Sequence, residues 1–93
     1  MTVYVDEAWL RRGRRWAHLM ADTLDELHAM AARLDLPPRA YQHKRSGVHY
    51  DITETLRARA IALGAVPLSR RDDRERLHAV IARARAQGRD APP

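Results

Sequence analysis

The stretch Val48-His49-Tyr50-Asp51-Ile52-Thr53, running on through Glu54-Thr55-Leu56-Arg57-Ala58-Arg59-Ala60-Ile61-Ala62-Leu63 and closing at Gly64-Ala65-Val66, decides the fold class. Its opening residues are β-branched or aromatic and read as a strand. Leu56, Ala60 and Leu63 then fall on one side of a helix over residues 53–63, and Gly64 suits the position just past its end. Residues 65–69 read as a second buried strand. Strand, helix and strand in direct succession predict a small α/β or α+β domain built on a mixed sheet. A right-handed crossover makes the last strand parallel to its predecessor.

Working back toward the N-terminus, residues 39–43 and 48–52 form the arms of a hairpin turning through Lys44-Arg45-Ser46-Gly47, where Gly47 supplies a positive φ. Leu36-Pro37-Pro38 stops a preceding helix. That helix starts at Thr23, three residues before Glu26 as in a capping box, and carries Leu24, Leu27, Met30, Ala31 and Leu34 on its apolar face. Residues 16–21 are strand-like, with Trp16, His18 and Met20 on one face by the period of two. Residues 7–15 read as a loop with four arginines, and residues 2–5 as a first strand. Toward the C-terminus, Asp72 and Glu75 have capping-box spacing, and Leu77, Val80, Ile81 and Ala84 form the stripe of a last helix ending at Gly88. The expected whole is a sheet of four to five strands covered by two helices. Residues 1–70 form a single domain, residues 71–88 a helical extension packed at an edge or on a partner, and residues 89–93 a flexible tail.

A chain of 93 residues feeds one core, and that core is thin, because Phe is absent and only two Trp and three Tyr supply large rings. A homo-oligomer through the C-terminal helix would compensate. With no Cys there are no disulfides or thiolate sites, so any metal takes His, Asp or Glu ligands. No apolar run approaches the ~20 residues that span a bilayer, and the N-terminus lacks a signal-peptide layout, which predicts a cytoplasmic protein without membrane partners. The net charge of +5 is concentrated beyond residue 35, where twelve basic side chains face six acidic ones. A basic surface invites anionic partners, although an arginine-rich composition also follows from high-GC bacterial coding.

Three separated motifs carry a resemblance: Tyr4-Val5-Asp6; Trp16-Ala17-His18-Leu19-Met20-Ala21-Asp22-Thr23 with Glu26-Leu27-His28; and His49-Tyr50-Asp51 followed by Arg57, Ala58 and Gly64-Ala65-Val66. Over residues 2–70 the chain resembles the small bacterial and phage proteins catalogued as domain of unknown function 4031. The resemblance implies one intact domain and brings no activity, ligand or site residue with it. The terminal helix lies outside it.

The candidate catalytic residues are His49, Asp51 and His18. On a strand, His49 and Asp51 share a face with Cα atoms ~6.5 to 7 Å apart, near enough to converge on one atom, while Tyr50 and Ile52 face the other way. With Asp6 and His18 they make an N/O site for a divalent metal conceivable. Asp51 also lies three residues before Glu54 and has an alternative use as a helix cap, with His49 a half-buried strand residue. Asp22, from elsewhere in the sheet, and Tyr50, Thr53 and Arg57, around the helix N-terminus, are candidate ligand-binding residues. Arg57 and Arg59 lie roughly 200° apart on the wheel and cannot serve one side together. In the arginine-rich loop, Trp9, Arg11, Arg12, Arg14 and Arg15 offer phosphate contacts and stacking platforms, or form a solvated turn pinned by its indoles. His28, at the edge of the first helix, packs over its apolar seam or faces water, and His43 and His78 are peripheral.

These residues favour a nucleic-acid- or nucleotide-associated accessory protein with a His/Asp polar site. A small metal-assisted phosphoester hydrolase is the alternative, and a non-catalytic oligomerisation or adaptor module the third reading. All of them turn on whether His18 and His49 meet.

Overall fold

The computed structural model describes residues 2–44 and 47–90. The expected turn residues Arg45 and Ser46 and the tail residues 91–93 lie outside them. In chain order the elements are β1 (Val3–Val5), β2 (Trp9–Arg11), β3 (Arg14–Ala21), α1 (Leu24–Arg33), a 3-10 turn (Pro38–Ala40), β4 (Tyr41–Lys44), β5 (Gly47–Thr53), α2 (Glu54–Ala62), β6 (Val66–Pro67) and α3 (Arg74–Asp90). The sheet runs β4-β5-β3-β1-β6, with β2 also paired to β3.

All pairings are antiparallel except β1 with β6. β6 therefore runs in the direction of β5 but does not pair with it, since β3 and β1 lie between them.

The arginine-rich segment expected as a loop is instead a hairpin. Trp9 pairs with Trp16, Leu10 with Arg15 and Arg11 with Arg14. The two turn residues, Arg12 and Gly13, both have positive φ (52° and 77°), the geometry that lets a two-residue turn match strand twist. This hairpin raises the expected four to five strands to six among the described residues.

Local chemistry explains the helix ends. Thr23 caps α1 by accepting the Glu26 N–H, and Glu26 Oε1 accepts from the Thr23 hydroxyl. At the far end Leu36 N–H bonds to Ala31 and Asp35 N–H to Ala32, a Schellman closure with Asp35 at positive φ. α2 closes the same way at Gly64. Its N-cap is Thr53, whose hydroxyl accepts the Leu56 N–H, so Asp51 is not spent as a cap. α3 begins after Asp73 rather than Asp72: the Asp73 side chain accepts the Ser69 N–H and its carbonyl accepts that of Leu77. Gly88 does not end α3, which continues to Asp90.

The sheet is covered on both faces. On one, Val5, Ala17, Leu19, Ala21, Val48, Tyr50 and Ile52 pack with α1 and α2 residues such as Leu27, Met30 and Ala60. On the other, Tyr4 and Met20 pack with Leu68 and with Leu77 and Val80 of α3. The stripe expected to seek an edge or a partner thus lies against the chain's own sheet. α3 comes so close that a Cβ on Gly47 would sit 3.0 Å from the Ala84 Cβ. No described helix is long and apolar enough to cross a membrane.

Candidate metal centre and arginine groove

Register brings the polar residues together. Antiparallel pairing places His18 opposite Asp51 on one side, and continuation of the β1–β3 register places Asp6 opposite it on the other. Asp6, His18 and Asp51 thus form one row across three strands spaced ~4.8 Å apart. His49 occupies the next row on the same face, and its ring meets that of His18 edge-on with centroids 4.6 Å apart. All lie on the α3 face, beside rather than beneath the helix's apolar contacts with Tyr4 and Met20.

The hydrogen bonds fix which ring nitrogens are bare. Asp6 is 5% exposed, and its two oxygens accept the His18 backbone N–H and Nδ1–H, each at 2.7 Å. His49 Nδ1 donates to the Gly47 carbonyl at 3.0 Å, because a carbonyl only accepts. With both rings neutral, each Nε2 carries a lone pair, and both turn toward one oxygen: Asp51 Oδ1 lies 3.3 Å from His49 Nε2 and 3.9 Å from His18 Nε2. Burial, and then the neighbouring His18 charge, holds His49 below its ordinary pKa; the Gly47 carbonyl and Asp51 oppose this shift and Lys44 adds to it. His49 therefore offers a lone pair at neutral pH. In the state with both rings neutral, the three groups turn acceptors toward one another, an arrangement that a cation satisfies.

Among the described residues, His18, His49 and Asp51 are the group able to hold a metal ion, with ligand atoms within 4.8 Å of one another. Two ligands ~2.0 to 2.1 Å from a tetrahedral ion are ~3.3 to 3.4 Å apart. The His49–Asp51 gap of 3.3 Å already has that value, and His18 needs to close by about half an ångström on Asp51 and to swing toward His49, since the three ligand atoms lie within 4.8 Å of one another. Asp6, expected among the ligands, stands behind His18 instead. It orients the ring and fixes its tautomer, the usual role of a carboxylate behind a metal-binding imidazole. The Asp6 carbonyl is in turn held by Arg57 Nε at 2.7 Å, so Arg57 supports the site from behind and does not enter it.

Two other expected members lie elsewhere. Asp22 is on the same face as His18 but four residues along, ~13 Å away by the strand rise, with Met20 between them. It accepts from Tyr4 Oη, the Thr2 N–H and Arg83. Tyr50 points to the opposite face, where its hydroxyl meets His28 Nδ1 at 2.7 Å. Burial, with Tyr41 nearby, pushes the Tyr50 phenol up, so it stays protonated.

A groove of about 820 Å³ reaches the cluster at Asp51, with His18 and His49 set behind its wall, and is shaped by the β2–β3 hairpin on one side and residues 36–42 on the other. Asp51 and Trp9 belong to both: Asp51 lines the groove, and Trp9 lines it while stacking on His18 at 4.3 Å. Thr53, Trp16, Arg11, Arg12 and Arg14 also line it. Arg15, grouped with these arginines in the sequence, projects to the other face of β3 and pairs with Glu54 at 2.6 Å. Sequence reasoning missed Arg39 and Gln42, which reach the groove from the far wall. It also missed the Trp9–His18 stack, although the palindromic placement of Trp9 and Trp16 about Arg12-Gly13 was the signal for the hairpin that creates it.

By fold and site this is a small mixed α/β protein with a polar cluster at the edge of a cationic groove. Within that class the chain belongs to the family described as protein of unknown function (DUF4031), whose model matches residues 3–80. The match extends beyond the expected residue 70 into α3. No curated protein and no solved structure matches the chain.

Proposed function

We propose that the protein is a metal-assisted phosphoester hydrolase that binds one first-row divalent cation through His18 Nε2, His49 Nε2 and Asp51. The observation that carries this reading is the convergence of two bare imidazole nitrogens on one carboxylate oxygen beside an arginine-lined groove. Three protein ligands leave a position open for water, as catalytic sites require, and two imidazoles suit zinc better than magnesium. The groove arginines neutralise a phosphoryl group as negative charge builds on it. A cation held by these three residues would supply an activated water, whose oxygen would bond to phosphorus as its proton passes to solvent. The P–O bond to the leaving alcohol breaks, its electron pair goes to that oxygen, and the oxygen takes up a proton, so that one water is consumed per ester cleaved.

The test is thermal melting with Zn²⁺, followed by release of nitrophenolate from bis(p-nitrophenyl) phosphate. Zn²⁺ is expected to raise the Tm and support turnover, Mg²⁺ to do neither, and His49→Ala to remove both effects of zinc. A zinc shift that survives in His49→Ala refutes the site, and zinc binding without turnover refutes the hydrolase. The groove by itself favours a second reading, a nucleic-acid- or nucleotide-associated accessory protein that binds through the same arginines without cleaving.

A further inference from the structure

We infer that the substrate strand of this site is a single-stranded nucleic acid, held in the groove by stacking on its tryptophans and by Arg11, Arg12, Arg14 and Arg39. The claim that the bound strand is the substrate rests on the hydrolase reading; the binding itself does not.

The charge balance in the groove is lopsided. Four guanidinium groups line it against one carboxylate, Asp51. Three arginines near the site are engaged elsewhere: Arg15 is paired with Glu54, Arg83 with Asp22, and Arg57 with the Asp6 carbonyl. Among the described residues none of the four groove arginines has an acidic partner. They lie on two walls, three on the β2–β3 hairpin and Arg39 on the 36–42 segment, which suits an anion that passes between the walls better than a single bound phosphate.

The aromatic groups select the strand type. Trp9 and Trp16 are cross-strand partners that both line the groove and both remain partly exposed. Trp9 has one face covered by His18, and the Arg14 guanidinium lies 5.9 Å from the Trp16 ring centre. A base stacked on an indole must be out of its pair, so these platforms are open to a single strand and closed to an intact duplex. Stacking is indifferent to base identity, so the groove predicts little sequence preference. Because Trp9 bridges the groove and His18, a strand lying along the indoles brings a phosphodiester toward the Asp51 end, where the cation ligands are.

The experiment is fluorescence anisotropy of labelled dT12, rU12 and a twelve-base-pair duplex with the full chain in EDTA, so that it does not depend on the metal centre. Neutralising four phosphates predicts a log–log salt slope of about −2.8 for a single strand, roughly a 50-fold weakening between 50 and 200 mM NaCl. The double variant Arg11→Ser/Arg14→Ser, with both changes on the exposed hairpin, should halve the slope to about −1.4. Trp16→Leu should weaken binding roughly 5- to 150-fold with the slope retained. Comparable affinity for dT12 and rU12 fits stacking; a preference for one identifies the natural strand. Duplex binding equal to or tighter than single-strand binding overturns the inference, as does affinity unchanged in Arg11→Ser/Arg14→Ser. Binding of dT12 and rU12 with cleavage of neither after Zn²⁺ is added overturns the substrate claim and leaves the binding groove standing; the hydrolase reading falls only if bis(p-nitrophenyl) phosphate is spared as well.

Discussion

Replacing Asp6 by asparagine should disarm the cation site without touching a ligand. The Asp6 carboxylate accepts two N–H groups of His18 at 2.7 Å each, and an asparagine of the same shape has one acceptor oxygen and an NH₂ group. If the oxygen stays on the backbone N–H, the NH₂ faces Nδ1, and His18 escapes the donor–donor clash by moving its proton to Nε2. The nitrogen aimed at Asp51 then becomes a donor and is lost as a ligand. Loss of such a supporting carboxylate typically costs 10- to 100-fold in metal affinity, about 1.4 to 2.7 kcal/mol. At Zn²⁺ 100 times the wild-type Kd, zinc stabilises the wild type by about 2.7 kcal/mol and the variant by only about 0.4 to 1.4 kcal/mol. For a domain of this size the zinc-induced rise in Tm should fall from roughly 11–22 °C to roughly 2–11 °C. Calorimetric titration gives the affinity, and ¹⁵N chemical shifts of the His18 ring give the tautomer. Asp22→Asn is the matched control, since that carboxylate serves Tyr4, Thr2 and Arg83 and should leave zinc affinity unchanged. Zinc binding of wild-type strength in Asp6→Asn, with the proton still on Nδ1, would refute the orienting role.

Three further outcomes follow from packing and protonation. Gly47→Ala combines a positive φ of 120° with a Cβ 3.0 Å from Ala84, so it should cost about 2 to 4 kcal/mol; Gly13→Ala, also at positive φ but with open space around it, should cost only about 1 to 2 kcal/mol by chemical denaturation. Leu77→Ala should lower stability by about 2 to 5 kcal/mol at every protein concentration, because its side chain is buried against the chain's own sheet; an unchanged Tm would show that α3 is not docked there. Because the His49 pKa is lowered on folding, the unfolded chain binds its proton first as pH falls. Metal-free protein should therefore lose stability below about pH 6.5 and level off once the folded ring itself protonates, and His49→Gln should flatten that slope. His18, Asp51 and Lys44 are the charged or titratable neighbours that act on the ring; a slope unaltered in His49→Gln would refute the assignment to His49.

The local rules carried most of the secondary structure. α1 was legible from the Thr23–Glu26 box and its apolar spacing, α2 from its leucines and Gly64, and β5 from its β-branched and aromatic run. The β2–β3 hairpin was not, because its turn is Arg-Gly rather than Asn-Gly and its short arms are charged, which weakens the alternation that marks a strand. Nor was the position of α3 legible: a narrow apolar stripe looks the same whether it meets its own sheet or a partner, and the deciding contact is the Gly47–Ala84 approach between residues far apart in the chain.

Residue types and their spacing along the chain were enough to name the candidates. Side-chain alternation put His49 and Asp51 on one face of a strand and His18 on one face of another, because the period of two is a property of each strand alone. That these faces are the same face, and that they meet, follows from strand pairing. Pairing register is set by many distributed contacts along the two strands, and a shift of one residue would have turned His18 into the other layer. The observed register aligns Asp6, His18 and Asp51 in one row, leaves Asp22 ~13 Å down the strand, and sends Tyr50 to the opposite core. Residue identity fixed which groups could act as ligands, and register fixed which of them converge.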